Sequence, residues 1–409
     1  MERTNSNFDF FHLIMILIFT IKYLISSVTD VIPYTVFLAL ELLYFALCFL
    51  LEKSSVRWIM FKIALLVVFL SFLYYFFTIT HTVSTSVSHY NLKRFITKFN
   101  QLVNLFFPIL LCNNYFKLKK QYRNLIFAVV LTAFSYVVIH STIAFASGQA
   151  TARKWSTFSE SQLENIATYF FVYAASAMIP AVFGFIRKNK NRVLKLIAVV
   201  YIVLLYVFLF TSQYTLSILI PTICIFLSIV RNARSAKKVV LLLALMLIVI
   251  LTPLALSALI SVINPENQIQ SRLLSVLEFI RGDDSFGYNH LSGRLNLYKQ
   301  CLEYFFKSPL IGNKTVPFDG HATFLTVLCD LGLLGTIPTF VLYFGSRKSI
   351  RAIMKNSKMY SLWIFSFMAM IMTGFVNPIH SAEVLGFAVF FIAPALLKIK
   401  FDGEKNEQV

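Results

Sequence analysis

Residues 187–231 read RKNKNRVLKLIAVVYIVLLYVFLFTSQYTLSILIPTICIFLSIVR. Arg187, Lys188, Lys190 and Arg192 open the stretch, and Arg231 closes it. Between them lie two apolar runs, 193–211 and 212–230, each near the roughly 20 residues a helix needs to cross a bilayer core. The runs are continuously apolar and do not alternate with period two, which selects helices over barrel strands. Such a pair is a helical hairpin that returns the chain to a second basic segment on the same side of a membrane. The turn between the two helices falls at Thr211–Ser212, with neither Gly nor Pro to make it.

The same unit extends along the chain. Apolar run lengths predict about twelve spans, near 10–27, 31–51, 57–79, 95–112, 125–147, 166–186, 193–211, 212–230, 239–263, 322–345, 360–377 and 384–399. Every second loop is basic: Lys53 and Arg57; Lys117, Lys119, Lys120 and Arg123; Arg187 to Arg192; Arg231, Arg234, Lys237 and Lys238; Arg347 to Lys358. Cytoplasmic loops carry such an excess, so those loops and both termini are expected in the cytoplasm of a plasma (inner) membrane protein. The composition agrees, with 58% hydrophobic and 13% charged residues in 409. The net charge of +19 is divided among short clusters and forms no continuous basic face, which argues against nucleic acid as a partner. The run from Phe10 to Ser27 lacks a small-residue cleavage site and reads as the first membrane helix, not a removed signal.

The fold class is therefore an all-α polytopic membrane protein. An N-terminal bundle covers 1–263, about nine spans, and a large extracytoplasmic loop covers 264–320. C-terminal membrane helices cover 321–399, about three spans, and 400–409 is a cytoplasmic tail. The loop exceeds ordinary connection lengths, which marks it as functional. Two amphipathic helices are expected in it. In QSRLLSVLEFIRG, Leu273, Val276, Leu277 and Ile280 share a face; in SGRLNLYKQCLEYFFK, Leu295, Tyr298, Leu302 and Phe305 do. Either helix suits the membrane surface or a cap on the bundle. No internal repeat is visible, against the inverted halves of many transporters.

Six histidines fall in the outer half of this topology, and His12 does not. His321 stands at the outer start of span ten, after Asp319 and Gly320. Asp319 is a candidate cap there, and a helix N-terminus favours a neutral imidazole able to accept a proton. The bland alternative is an interfacial histidine. Arg294 follows Ser292-Gly293, which reads as a helix start with Ser292 as N-cap. A cation in a first turn invites an anion shared with the free N–H groups; the alternative is a solvated arginine paired with Asp283 or Asp284. Arg153, Arg272 and Arg281 are further cations on the outer side. Asp330 is expected about 13 Å deeper than His321 at 1.5 Å per residue. Lys22 and Glu41 are expected to pair, because an intramembrane charge needs a partner. Gly332 and Gly335 suit close helix contact. Cys48, Cys112, Cys224, Cys301 and Cys329 show no disulfide or zinc spacing, so no metal site is assigned. Outer arginines with one histidine suit transfer chemistry on a phosphate-linked lipid.

At these residues the sequence resembles the O-antigen polymerase and ligase family of bacterial envelope polysaccharide assembly. The resemblance rests on LSGRLNLYKQCLEYFFKSPLIGN followed by GHATFLTVLCDLGLLG. The family pattern maps to Arg294, Tyr298, Pro309-Leu310-Ile311-Gly312, His321 and Gly332 to Gly335. Arg153 followed by Asn165 is a second match. Many members carry Ser-Arg where this chain reads Thr211-Ser212-Gln213, so Gln213 would offer a neutral amide in place of a charge. Position 322 is Ala where ligases often have Asn or Ser.

The resemblance implies a metal-independent, cofactor-free glycosyltransferase that acts on the outer side. Its partners would be a polyprenyl-diphosphate-linked glycan donor and acceptor, the lipid bilayer, a flippase and a chain-length regulator. In it His321 is the base, Arg294, Arg153 and Arg281 hold the diphosphate, and Asp319, Tyr298, Asn165 and Gln213 support them. The leading reading is a repeat-unit polymerase for O-antigen or capsular polysaccharide. The same family also contains ligases that transfer polymer to lipid A core. From a different class, a flippase or transporter would show midplane charges on interrupted helices and repeated halves.

Overall fold

A computed structural model describes residues 6–25, 27–51, 55–77, 87–148, 152, 165–232, 290–313 and 322–398, with isolated residues 257, 258, 260, 261, 274 and 277. Every regular element among them is helical. Predicted span nine, 239–263, and the predicted loop before His290 lie outside the described residues, apart from those isolated positions.

The helices are α1 (Ser6–Leu24), α2 (Ser27–Val31), α3 (Tyr34–Leu51), α4 (Ser55–Phe77), α5 (Val87–Phe106), α6 (Pro108–Tyr115) and α7 (Lys120–Ala146). They continue with α8 (Tyr169–Lys188), α9 (Arg192–Thr211), α10 (Thr215–Asn232), α11 (His290–Lys307), α12 (Thr323–Met354), α13 (Ser357–Val376), α14 (Glu383–Phe387) and α15 (Ala393–Lys398). A π-helical turn, Ala388–Ile392, joins the last two. Among the described residues seven helices are long and apolar enough to cross a membrane, and Tyr34–Leu50 and Thr215–Arg231 are shorter apolar ones.

The bundle closes around α8. Ala174, Ala175, Ser176, Ala177 and Ala181 are all buried, and small side chains there let helix axes approach closely. Helices α9, α10, α13, α14 and α15 pack against it. The C-terminal span is equally enclosed, with every residue from Leu385 to Leu397 buried. Its π-turn has a local cause. Pro394 has no N–H to donate to the turn before it, and the Trp363 indole N–H donates to Val389 O instead, at 2.7 Å.

Two expected helix boundaries take unexpected forms. Predicted span four is split at Phe107 into α5 and α6, with Pro108 at the first position of α6. The predicted turn after Thr211 is present, and Gln213 makes it by adopting φ 60°, a conformation that costs a non-glycine residue energy.

Cations cluster at one end of the bundle and donate to backbone carbonyls there. Lys188 Nζ donates to Leu397 O at 2.8 Å, Arg187 to Ser228 O at 3.0 Å, and Arg231 to Ser361 O at 3.2 Å. The Leu397 carbonyl lies in the last turn of α15, where carbonyls lack intrahelical donors, and the Lys188 ammonium satisfies both the missing bond and the dipole. The start of α12 lies at the opposite end.

Candidate functional site

Helix α12 is interrupted at Gly332, whose φ 56° and ψ −153° lie outside helical space and in a region only glycine enters without strain. The half before the break doubles back. Phe324 stacks on Phe340 with ring centroids 5.1 Å apart and meets Tyr343 at 5.3 Å. A straight helix would hold Phe324 and Phe340 about 24 Å apart. Gly335 leaves the room this needs, since a Cβ there would sit 2.3 Å from the Leu331 side chain.

An interruption orphans backbone groups, and here the segment after α11 takes them up. Leu333 N–H donates to Pro309 O at 2.8 Å, and Leu334 N–H donates to Leu310 O at 3.0 Å. Asn313 N–H donates to Cys329 O at 2.7 Å. The fit is backbone against backbone. A Cβ on Gly332 would lie 2.6 Å from Gly312 N, and one on Gly312 (φ 76°) would lie 2.4 Å from Asp330 O. The Pro-Leu-Ile-Gly and Gly-Leu-Leu-Gly elements are thus two halves of one joint.

The joint fixes how α11 lies. Cys301 Sγ donates to Leu325 O at 3.0 Å, while Pro309 and Leu310 pair with Leu333 and Leu334. The pairing advances in the same direction on both segments, so α11 runs parallel to the first half of α12. Arg294, near the start of α11, therefore lies toward the same end as Ala322–Thr323.

At that end Thr323 organises the connection to α14. Its N–H donates to Asn377 O at 3.3 Å, its Oγ1 accepts from Ile379 N–H at 2.6 Å, and His380 Nδ1 lies 3.4 Å from that oxygen. Burial first, then the nearby Lys98 ammonium, push His380 well below the ordinary imidazole range, so it is neutral at pH 7.

Lys98 shares a face of α5 with Gln101 and Asn104, and that face leads inward to an ion pair. Lys22 Nζ meets Glu41 Oε1 at 2.6 Å with both side chains fully buried, and it also donates to Asn104 Oδ1. The rings of Tyr23, Tyr34 and Phe37 surround the ammonium at 5.1, 5.2 and 5.6 Å. The expected pairing of Lys22 with Glu41 is present, and it locks α1, α3 and α5 together. Sequence reading missed Asn104, Lys98 and Thr323; the polar stripe of α5 was the available signal for the first two.

Of the predicted site residues, Asn165 (φ 54°) precedes α8, and its Oδ1 accepts from Ser27 N–H at 3.2 Å. Gln213 stands in the turn between α9 and α10. Tyr298 is half-buried on α11, one turn after Arg294. His321, Asp319, Arg153 and Arg281 lie outside the described residues; their neighbours Ala152 and Ala322 are buried.

Three expectations need correction. Helix α11 begins at His290, so Ser292 is inside the helix and is not its N-cap. The N-cap of α12 is Ala322, not Asp319. Asp330 is not deeper than the start of α12, because that half turns back and Asp330 sits beside the break. The face of α11 packed on α12 is Leu297–Cys301–Tyr304, and Leu302 of the expected apolar face is exposed, as the membrane-surface alternative requires.

By sequence, the chain matches no family model and no curated protein.

Proposed function

We propose that the protein joins polyprenyl-diphosphate-linked oligosaccharide repeat units into a surface polysaccharide, as a metal-independent glycosyltransferase at the outer face of the plasma membrane. In this reading His321 accepts the proton of an acceptor sugar hydroxyl, and the oxygen attacks the anomeric carbon of the donor. The bond from that carbon to the diphosphate oxygen breaks, and polyprenyl diphosphate leaves. Arg294, Arg153 and Arg281 balance its charge, with guanidinium forks suited to phosphate oxygens. Asp319, Tyr298, Asn165 and Gln213 support the site.

The observation that carries this reading is the joint. It ties the helix bearing Arg294 alongside the half-helix that begins two residues after His321, at the end away from the basic cluster. The basic end is the expected cytoplasmic one.

A transporter is the second reading, because α12 is an interrupted helix with a carboxylate, Asp330, beside the break. Deleting the gene and running surface polysaccharide on a gel separates the readings. Loss of a polymerase leaves single repeat units on their acceptor. Loss of a ligase leaves long unattached polymer, and loss of a flippase leaves neither at the surface. Arg294→Lys is expected to be impaired through loss of the planar fork, and full activity in it would sink the clamp.

A further inference from the structure

The joint brings together two cysteines that lie far apart in sequence. Cys301 of α11 and Cys329 of α12 are both fully buried and form a packed cluster of their own, lined by Leu297, Tyr304 and Leu325. Cys301 Sγ donates to Leu325 O, one turn before Cys329, and the two buried thiols pack together. Both are thiols in the structure, as are Cys48, Cys112 and Cys224, which lie in the main core. The neighbouring Cys329 thiol, as a donor toward its sulfur, holds the Cys301 thiol below its ordinary pKa, which favours it as the attacking thiolate.

We propose that Cys301 and Cys329 are an oxidisable pair that closes to a disulfide in the mature protein, stapling α11 to the re-entrant half of α12. The oxidant is a disulfide, carried by a protein or a small molecule, of the kind found outside the cytoplasm. The Cys301 thiolate attacks one sulfur of that disulfide, which forms a mixed disulfide and releases one thiolate. Cys329 then gives up its proton and attacks the Cys301 sulfur, which forms the Cys301–Cys329 bond and releases the second thiolate. The two cysteines lose two electrons and two protons, and the oxidant leaves as two thiols. Because both sulfurs are buried once α11 has docked, the exchange belongs to the docking step. It costs one weak S–H···O bond to Leu325, and the two packed sulfurs close to about 2.05 Å. The bond encloses residues 302–328, so His321 and Asp319 lie inside the loop it closes, and Arg294 lies on the helix it anchors.

This inference rests on that end facing away from the cytoplasm, and not on the polymerase chemistry. The test uses the full-length wild-type protein in membranes from aerobically grown cells. Membranes are dissolved in denaturant with a maleimide, then reduced and treated with a second, heavier maleimide, and the cysteine peptides are read by mass spectrometry. The expected result is loss of first-step labelling at Cys301 and Cys329 alone, with Cys48, Cys112 and Cys224 taking the first label. First-step labelling of both Cys301 and Cys329 overturns the pair. A reporter separates the two failures: Asn296→Cys, on an exposed position of α11, is made in a Cys301→Ser, Cys329→Ser background and treated in intact cells with a membrane-impermeant maleimide. If the reporter is labelled while the wild-type pair is free, the disulfide fails and the sidedness stands. An unlabelled reporter sinks the sidedness, and with it both the pair's oxidation and the outward-facing site.

Discussion

Two polar arrangements hold this bundle together, and they are built from different material. The Lys22–Glu41–Asn104 centre is made of side chains on three helices, α1, α3 and α5. The joint at Gly312 and Gly332 is made of backbone, and its side chains matter chiefly by being absent. A side-chain centre can be exchanged as a unit, because each partner is a replaceable group. A backbone joint cannot, because its donors and acceptors belong to every residue and only its clearance is encoded.

The largest effect that probes this contrast is at the ion pair. Lys22→Met or Glu41→Leu alone leaves one buried charge without its partner, at a cost of about 3–5 kcal/mol. The double variant removes both charges and is expected to recover most of that loss, read as thermal unfolding of the protein in detergent. A double variant no better than the worse single one would mean that the centre is needed for more than charge balance. Asn104 is the place to look in that case, since it accepts from Lys22.

Gly332→Ala comes next. Its Cβ would press on Gly312 N at 2.6 Å and Pro309 O at 2.7 Å, and its backbone would be held where only glycine is unstrained. Backbone strain of that kind costs of order 1–3 kcal/mol before the clash is counted. Gly312→Ala is expected to match it from the other side, and combining the two is expected to give no rescue. The measurement is limited proteolysis of α11 against the rest of the bundle. Wild-type resistance in either variant would contradict the interlocking.

The contrast also explains what was legible in the sequence. Apolar run length reveals the long apolar helices among the described residues, because burial in lipid acts on composition. Lys22 and Glu41 were legible as a pair, because two intramembrane charges of opposite sign nearly dictate each other. The joint was not. Gly332 inside an apolar run reads as close helix contact, and nothing local announces that Pro309 to Asn313 fills the break. The resemblance marked both segments as motifs without saying that they touch. The face by which α11 packs on α12 was not legible either: the apolar stripe through Leu302 was the visible one, while Leu297, Cys301 and Tyr304 make the contact.

Trp363 lies between the two kinds of arrangement, a side chain repairing a backbone. Trp363→Phe keeps most of the ring but removes the donor to Val389 O in a fully buried turn. The expected loss is about 1–3 kcal/mol, the cost of an unsatisfied buried carbonyl. Because Pro394 is the reason the carbonyl needs an outside donor, Pro394→Ala in the Trp363→Phe background is expected to restore part of it. No restoration in the unfolding curve would detach the π-turn from the proline.

The smallest effect compares two left-handed residues that are not glycine. Asn165 and Gln213 have nearly the same φ, 54° and 60°. Asn165 also spends its side chain, accepting the Ser27 N–H and tying the approach to α8 to α2. Gly relieves the backbone at either site, by about 1 kcal/mol at most once its own entropy is counted. Gln213→Gly is therefore expected to be neutral or slightly stabilising. Asn165→Gly loses a hydrogen bond of about 1 kcal/mol and should come out neutral or destabilising. The sign of the difference between the two variants is the informative quantity. If Asn165→Gly were the more stable of the two, the Ser27 contact would contribute nothing. The rule drawn from the joint, that backbone groups freed by a turn must find partners, would then stop at the core and not reach the ends of the bundle.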